Sequence, residues 1–139
     1  MFTFYKYKQG GPNDLFAEER IAALSGYALY KGQALKTSAG ALCAATTGDK
    51  VYAISNTSAA SSVATAAYVP NVFPVNSKQV WKADMSTAAT AATIKGAYVG
   101  ISSANSTAIA GDTAGTAVYV YDIITAVASS IYVVFADVV

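Results

Sequence analysis

The 139-residue sequence predicts a mainly all-β fold, a small β-barrel or β-sandwich of short strands with an N-terminal arm and one short helix. Two observations carry that prediction. Short runs rich in Val, Ile, Tyr and Phe recur ("YALYK", "KVYAIS", "VPNVFPV", "QVWKAD", "AYVGIS", "AVYVYDI", "IYVVFA"), bounded by turn signals such as Ser38-Ala39-Gly40, Thr47-Gly48-Asp49, Asn76-Ser77 and Gly111-Asp112. Alternation is clearest near the end, where Val118 and Val120 would face one side of a strand and Tyr119 and Tyr121 the other. Several short strands with regular turns indicate a sandwich or small barrel.

Composition divides the chain into a charged, aromatic head, residues 1–25, and a β body, residues 26–139, rich in Ala, Ser, Thr, Gly, Val and Tyr. The head opens with "MFTFYKYK", whose aromatics are too many to leave idle at a terminus. Two readings fit: an arm that docks on a partner through Phe2, Phe4, Tyr5, Lys6, Tyr7 and Lys8, or a first strand that turns Phe2 and Phe4 inward. Gly10-Gly11-Pro12 ends that segment. Asn13 or Asp14 then caps a short helix over "LFAEERIAAL", with Gly26 past its end and Ala17, Ile21 and Leu24 on one face.

In the body, three segments are close to low complexity: "NTSAASSVATAA", "MSTAATAATIKG" and "SSANSTAIAGDTAGTA". Their dense Ser and Thr, with no apolar stripe at helical spacing, favour surface loops or weak edge strands over helix. The apolar C-terminus, "IITAVASSIYVVFADVV", is shorter than the roughly 20 residues a spanning helix needs and reads as two strands and a turn.

The inventory of reactive groups is thin. The chain has no His and one Cys, which excludes a disulfide, zinc clusters and His-dependent triads within one subunit. Cys43 lies between Leu42 and Ala44, with no neighbouring base or cation to lower its pKa, and reads as a buried structural thiol. Glu18 and Glu19, with Asp14 nearby, fit a solvated helix face better than a pair of catalytic acids. Asp49, Asp112 and Asp122 are explained by turns, without a calcium loop. Neither a phosphate-binding loop nor a dinucleotide fingerprint occurs, so no cofactor or metal is expected. Nine basic against eight acidic residues, scattered along the chain, predict no nucleic-acid partner, and the absence of a signal-like segment predicts synthesis in a cytoplasm. The sequons at Asn56 and Asn105 are discounted as chance matches in a Ser/Thr-rich chain.

The run "GQALKTSAGALCAATTGDKVYAISN" resembles the tailed-bacteriophage capsid decoration proteins, also called cement or head-stabilising proteins. The corresponding pieces are the strand from Gly32 to Leu35, the turn Ser38 to Gly40, the Ala-rich strand Ala41 to Ala45, the turn Thr47 to Lys50 and the strand Val51 to Ile54. The later "GAYVGIS" and "DTAGTAVYVYDI" share the same small-residue β style, while the arm and helix depart from it. The resemblance implies a non-enzymatic virion protein on the outer capsid surface, partnered by the major capsid protein and by copies of itself, with a trimer favoured. Other readings are a head-fibre base or tail-tube subunit, and a carbohydrate-binding module built on Trp81 and nearby tyrosines.

Overall fold

The computed structural model describes residues 1–8, 17–19, 21–24, 26–64, 68–90, 95–102, 107–109, 118–124 and 127–135. They form ten strands: β1 Phe2–Tyr7, β2 Ala34–Ser38, β3 Ala41–Ala44, β4 Ala53–Ser55, β5 Val72–Pro74, β6 Gln79–Thr90, β7 Tyr98–Ser102, β8 Thr107–Ile109, β9 Val118–Ile123 and β10 Val127–Phe135. Two sheets result, one of six strands in the order β1-β6-β10-β9-β7-β8 and one of four in the order β3-β2-β4-β5. All their pairings are antiparallel except a single parallel pair, Met85 with Ala108, where the six-stranded sheet curls until β8 touches β6. One pair does not close a barrel, and the fold is sandwich-like.

The segment "MFTFYKYK" is a strand of the six-stranded sheet. β1 lies antiparallel to β6, with Phe2 opposite Ala83 and Phe4 opposite Trp81, and a bulge at Tyr5. Phe2 is 2% exposed and its ring meets Phe135 edge-on at 5.3 Å, while Phe4 meets Trp81 at 5.6 Å. Trp81 in turn lies 6.3 Å from Phe135. Burial of four aromatic rings supplies more driving force than a free arm could gain in water. The docking-arm reading therefore gives way to the core-strand reading.

The short helix is also corrected. Among the described residues there is no helix, and residues 17–19 and 21–24 run extended. Their backbone groups bond across the chain: Glu18 and Val72 exchange N–H···O bonds of 2.8 and 2.9 Å, Ala23 N–H reaches Tyr68 O at 2.8 Å, and Leu24 N–H reaches Leu42 O at 2.7 Å. Three apolar positions made too narrow a stripe to hold a helix, whereas the extended form buries Ala23 against Leu42. Asn13, Asp14 and the segment's first residues lie outside the described residues. The described parts of the head are thus woven into both sheets.

Elsewhere most strand expectations hold, including a weak edge strand in "SSANSTAIAGDTAGTA", with two adjustments. In "YALYK" only Leu29 pairs, through an isolated bridge to Ala59. "MSTAATAATIKG" reads as loop or edge, yet residues 85–90 continue β6, where Thr90 and Ala89 pair with Val127 and Ala128. Long-range pairing overrides the low β-propensity of alanine there. In "SSANSTAIAGDTAGTA" the short edge strand β8 forms; the flanking residues, including Gly111-Asp112, lie outside the described set.

Two apolar clusters result. The first fills the space between the sheets, joining Phe2, Trp81, Val99, Val118, Val120, Ile131, Val133 and Phe135 to Ala34, Ala45, Val51 and Ile54. The second lies on the other face of the four-stranded sheet, where Leu35, Leu42, Ala53 and Val72 are covered by Ala23, Leu29 and Ala64. Cys43 is buried and free, as expected.

Candidate interaction face

The outward face of the six-stranded sheet is built by alternation. Val118 and Val120 are fully buried while Tyr119 and Tyr121 are 38% and 39% exposed, so the "VYVY" pattern reads as expected. Neighbouring strands extend the row: Tyr98 on β7 opposes Tyr119, and their rings meet edge-on at 5.5 Å. Tyr5 on β1 stacks on Tyr132 of β10 at 4.3 Å. From β1 to β7 there are four interstrand steps, about 19 Å across the sheet at roughly 4.8 Å each.

Beneath this tyrosine layer lie Val80 and Val134. Alternation assigns both to the outer side, opposite Trp81 and Val133, yet they are 0% and 4% exposed. Their register partners are Lys6 and Tyr119, whose side chains belong to the covering layer. The tyrosines are therefore seated on apolar residues rather than standing free, which limits the rotamer entropy they would lose on binding.

Charge borders the rings. Lys6 Nζ lies 5.4 Å from the Tyr5 ring centroid and Lys8 Nζ 6.0 Å from that of Tyr121. Lys82 is exposed between β1 and β10. Asp122 accepts a 2.8 Å bond from Ile123 N–H and pairs with Lys95 Nζ at 3.1 Å; these contacts, in that order, hold its carboxyl below the usual range. Asp84 faces the Met1 amine at 3.4 Å. Partial desolvation, then the neighbouring Tyr5 hydroxyl, raises the Tyr132 phenol. With Lys6, Lys8, Lys82 and Lys95 against Asp84 and Asp122, the face is mildly basic.

Of the six residues singled out as contacts, Tyr5, Lys6 and Lys8 lie on this face. Phe2 is core, and Phe4 and Tyr7 are half-buried against each other at 5.2 Å. Sequence reading missed that Tyr98, Tyr119, Tyr121 and Tyr132 join them. The "VYVY" alternation signalled two of these, but only the strand order brings β7 and β10 alongside. Trp81, the anchor of the carbohydrate-binding alternative, is 1% exposed and cannot serve as a sugar platform.

Outside this face, the turn at residues 46–49 holds a carboxylate for a structural purpose. Asp49 accepts from Thr46 N–H and Oγ1, each at 2.8 Å, and from Lys36 Nζ at 2.9 Å. Partial burial pushes its carboxyl up, but the bonds from Lys36 and Thr46 outweigh this and leave it below the usual range. The same Asp49 contact raises Lys36. Among the described residues no three His, Cys, Asp or Glu side chains converge as a metal site would require, and no helix is long and apolar enough to cross a membrane. No family model, curated protein or solved structure matches the chain.

Proposed function

We propose that this chain is a structural protein of a bacteriophage virion that binds the outer surface of the capsid and stabilises the shell. The observation that carries the reading is the tyrosine face: a seated, mildly basic aromatic layer spanning five strands. Tyr is enriched at protein interfaces, where the ring gains burial and the hydroxyl keeps a polar contact. The resemblance of the Gly32 to Ile54 run to decoration proteins supplies the partner class, the major capsid protein. The lysines suit a partner surface bearing carboxylates.

Such a protein stabilises by linkage. A domain bridging two capsid subunits must lose its own contacts before they separate, so the assembled state gains the free energy of binding. A homotrimer would present the face three times and multiply the effect.

The test is quantitative mass spectrometry of purified particles of the phage whose genome encodes the chain. A copy number near one per capsid subunit, or a simple fraction of it, is expected. A handful of copies would assign the chain to a fibre or tail, and absence from particles would overturn a virion role.

A further inference from the structure

Among the described residues two ring contacts join tyrosine to tyrosine, and they differ in kind. Tyr98 and Tyr119 meet edge-on, with centroids 5.5 Å apart and planes at 69°. Tyr5 and Tyr132 are stacked, at 4.3 Å and 27°. Their strands are not neighbours: β1 and β10 flank β6, roughly 10 Å apart at about 4.8 Å per step. The bulge in β1 accounts for the contact. The register shifts between Phe4 and Lys6, so Tyr5 is the extra residue, and a bulge re-aims the side chain it carries, here across β6. Tyr132 is fixed from both sides, opposite Lys82 of β6 and Asp122 of β9.

The two hydroxyls are hydrogen-bonded to each other. Ring centres and hydroxyl ends are therefore both in register, and the Cε carbons that flank each hydroxyl-bearing carbon face their counterparts on the other ring. Those are the carbons that carry unpaired spin once a phenol has lost an electron and its proton. Tyr5 is 49% exposed and Tyr132 half-buried, so the pair is open to a small oxidant in solution. Holding two reacting groups in contact turns a bimolecular coupling into a unimolecular one.

We propose that Tyr5 and Tyr132 form a site of oxidative cross-linking, joined Cε to Cε as dityrosine by a one-electron oxidant. Each phenol gives one electron to the oxidant and its O–H proton to water, leaving two phenoxyl radicals. Their Cε atoms bond, the hydrogen on each joined carbon is released as a proton, and each oxygen takes up a proton as its ring regains aromaticity. The balance is two Cε–H bonds broken, one carbon–carbon bond formed, and two protons and two electrons removed. The link ties the edge strand β1 to β10 across β6 and closes a long loop of chain, which constrains the unfolded state as a disulfide does. It forms on the free protein, before the face is covered, and does not depend on the virion role.

Illumination of the dilute protein with tris(bipyridyl)ruthenium(II) and persulfate supplies the oxidant, persulfate taking the two electrons as it becomes two sulfates. Dityrosine fluorescence is expected, from a product that runs as a monomer on a denaturing gel and has lost two hydrogens by mass. Digestion should release a fragment that joins the peptides of Tyr5 and Tyr132. Tyr5→Phe and Tyr132→Phe each keep the ring and remove one phenol, and each should abolish the intramolecular product. Tyr98→Phe should leave its yield unchanged, because the edge-on pair does not bring Cε atoms face to face. Unfolding in urea before illumination should lose the Tyr5–Tyr132 fragment. A link that maps to another pair, a product formed only between molecules, or an intramolecular yield that survives Tyr5→Phe or urea overturns the proposal.

Discussion

The two sheets solve the same problem in opposite ways. The six-stranded sheet has one buried and one solvated face, so its strands alternate, as in the BeBe burial of β9 residues Val118 to Tyr121. The four-stranded sheet is buried on both faces: Ala34 and Ile54 face the aromatic core, Leu35 and Ala53 the second cluster. In β4 all three residues, Ala53, Ile54 and Ser55, are buried. A two-sided sheet must fit between its neighbours on either side, and alanine at positions 34 and 53 keeps it thin. Small residues there reflect double burial rather than a passive surface.

The largest expected effect tests whether β1 belongs to the core of this arrangement. Deleting residues 1–7 removes Phe2 and a whole edge strand, and single Phe→Ala changes in cores already cost about 3–5 kcal/mol. Loss of cooperative thermal unfolding is expected; a sharp transition near the wild-type midpoint would return the segment to a docking arm. Next come two truncations that contrast the clusters. Trp81→Ala should cost about 3–5 kcal/mol by urea denaturation. Leu42→Ala should cost nearer 2 kcal/mol, because the irregular cover of residues 21–24, 26–29 and 59–64 can close on the cavity. Equal costs would mean that the cover is as rigid as a sheet.

This contrast also explains what the sequence made legible. Strand β9 is readable because one solvated face leaves period-two alternation at Val118 to Tyr121, and the start of β6, β7 and the end of β10 because runs of Val, Ile, Tyr and Phe are strong β signals. The segment around Glu18 and Ala23 was not, because its partners, Val72, Tyr68 and Leu42, are distant in sequence and no local pattern reports them. The N-terminal alternatives could not be separated for a similar reason: "MFTFYKYK" alternates as a strand does, but only the position of β6 decides whether an edge is available to it. The tyrosine face was half legible, since the residues were visible and their adjacency depends on strand order.

Gly32 joins the two regions. Its φ is +81°, its carbonyl accepts from Phe2 N–H at 2.8 Å, and a Cβ there would run into the Met1 side chain. Gly32→Ala should cost about 1–2 kcal/mol from the left-handed backbone alone. It should also loosen β1 first, seen as faster amide exchange at Phe2 than at Val118. A uniform loss across both sheets would show that β1 and the core unfold as one unit.

A smaller effect lies in the turn that precedes β4. The Asp49 carboxyl is lowered in the folded state, so its contribution is present above the usual carboxylate range and is lost as pH falls through the lowered value. Asp122 has the same sign. Lys36 is raised, and its contribution fades only as pH rises beyond the usual lysine range. Both partners of the turn are partly exposed, which keeps the gain under about 1 kcal/mol for Asp49. Asp49→Asn should flatten the dependence of the urea midpoint on pH between about 2 and 5. An unchanged acid limb would place that dependence on Asp122 and the other carboxylates.

The smallest effect on stability should accompany the largest on association. Tyr98 is 47% exposed and, among the described residues, its ring partner is Tyr119, so Tyr98→Ser forfeits an exposed edge-to-face pair and little buried area, under about 1 kcal/mol. If the face docks on a capsid, the same change should raise the salt-independent part of dissociation, measured as retention on purified shells. Lys8→Gln should instead weaken retention mainly at low ionic strength, because its charge acts through water. The two variants separate aromatic burial from steering. Retention unchanged in both, with folding intact, would leave the tyrosine layer as a cover for Val80 and Val134 and move the contact surface elsewhere on the molecule.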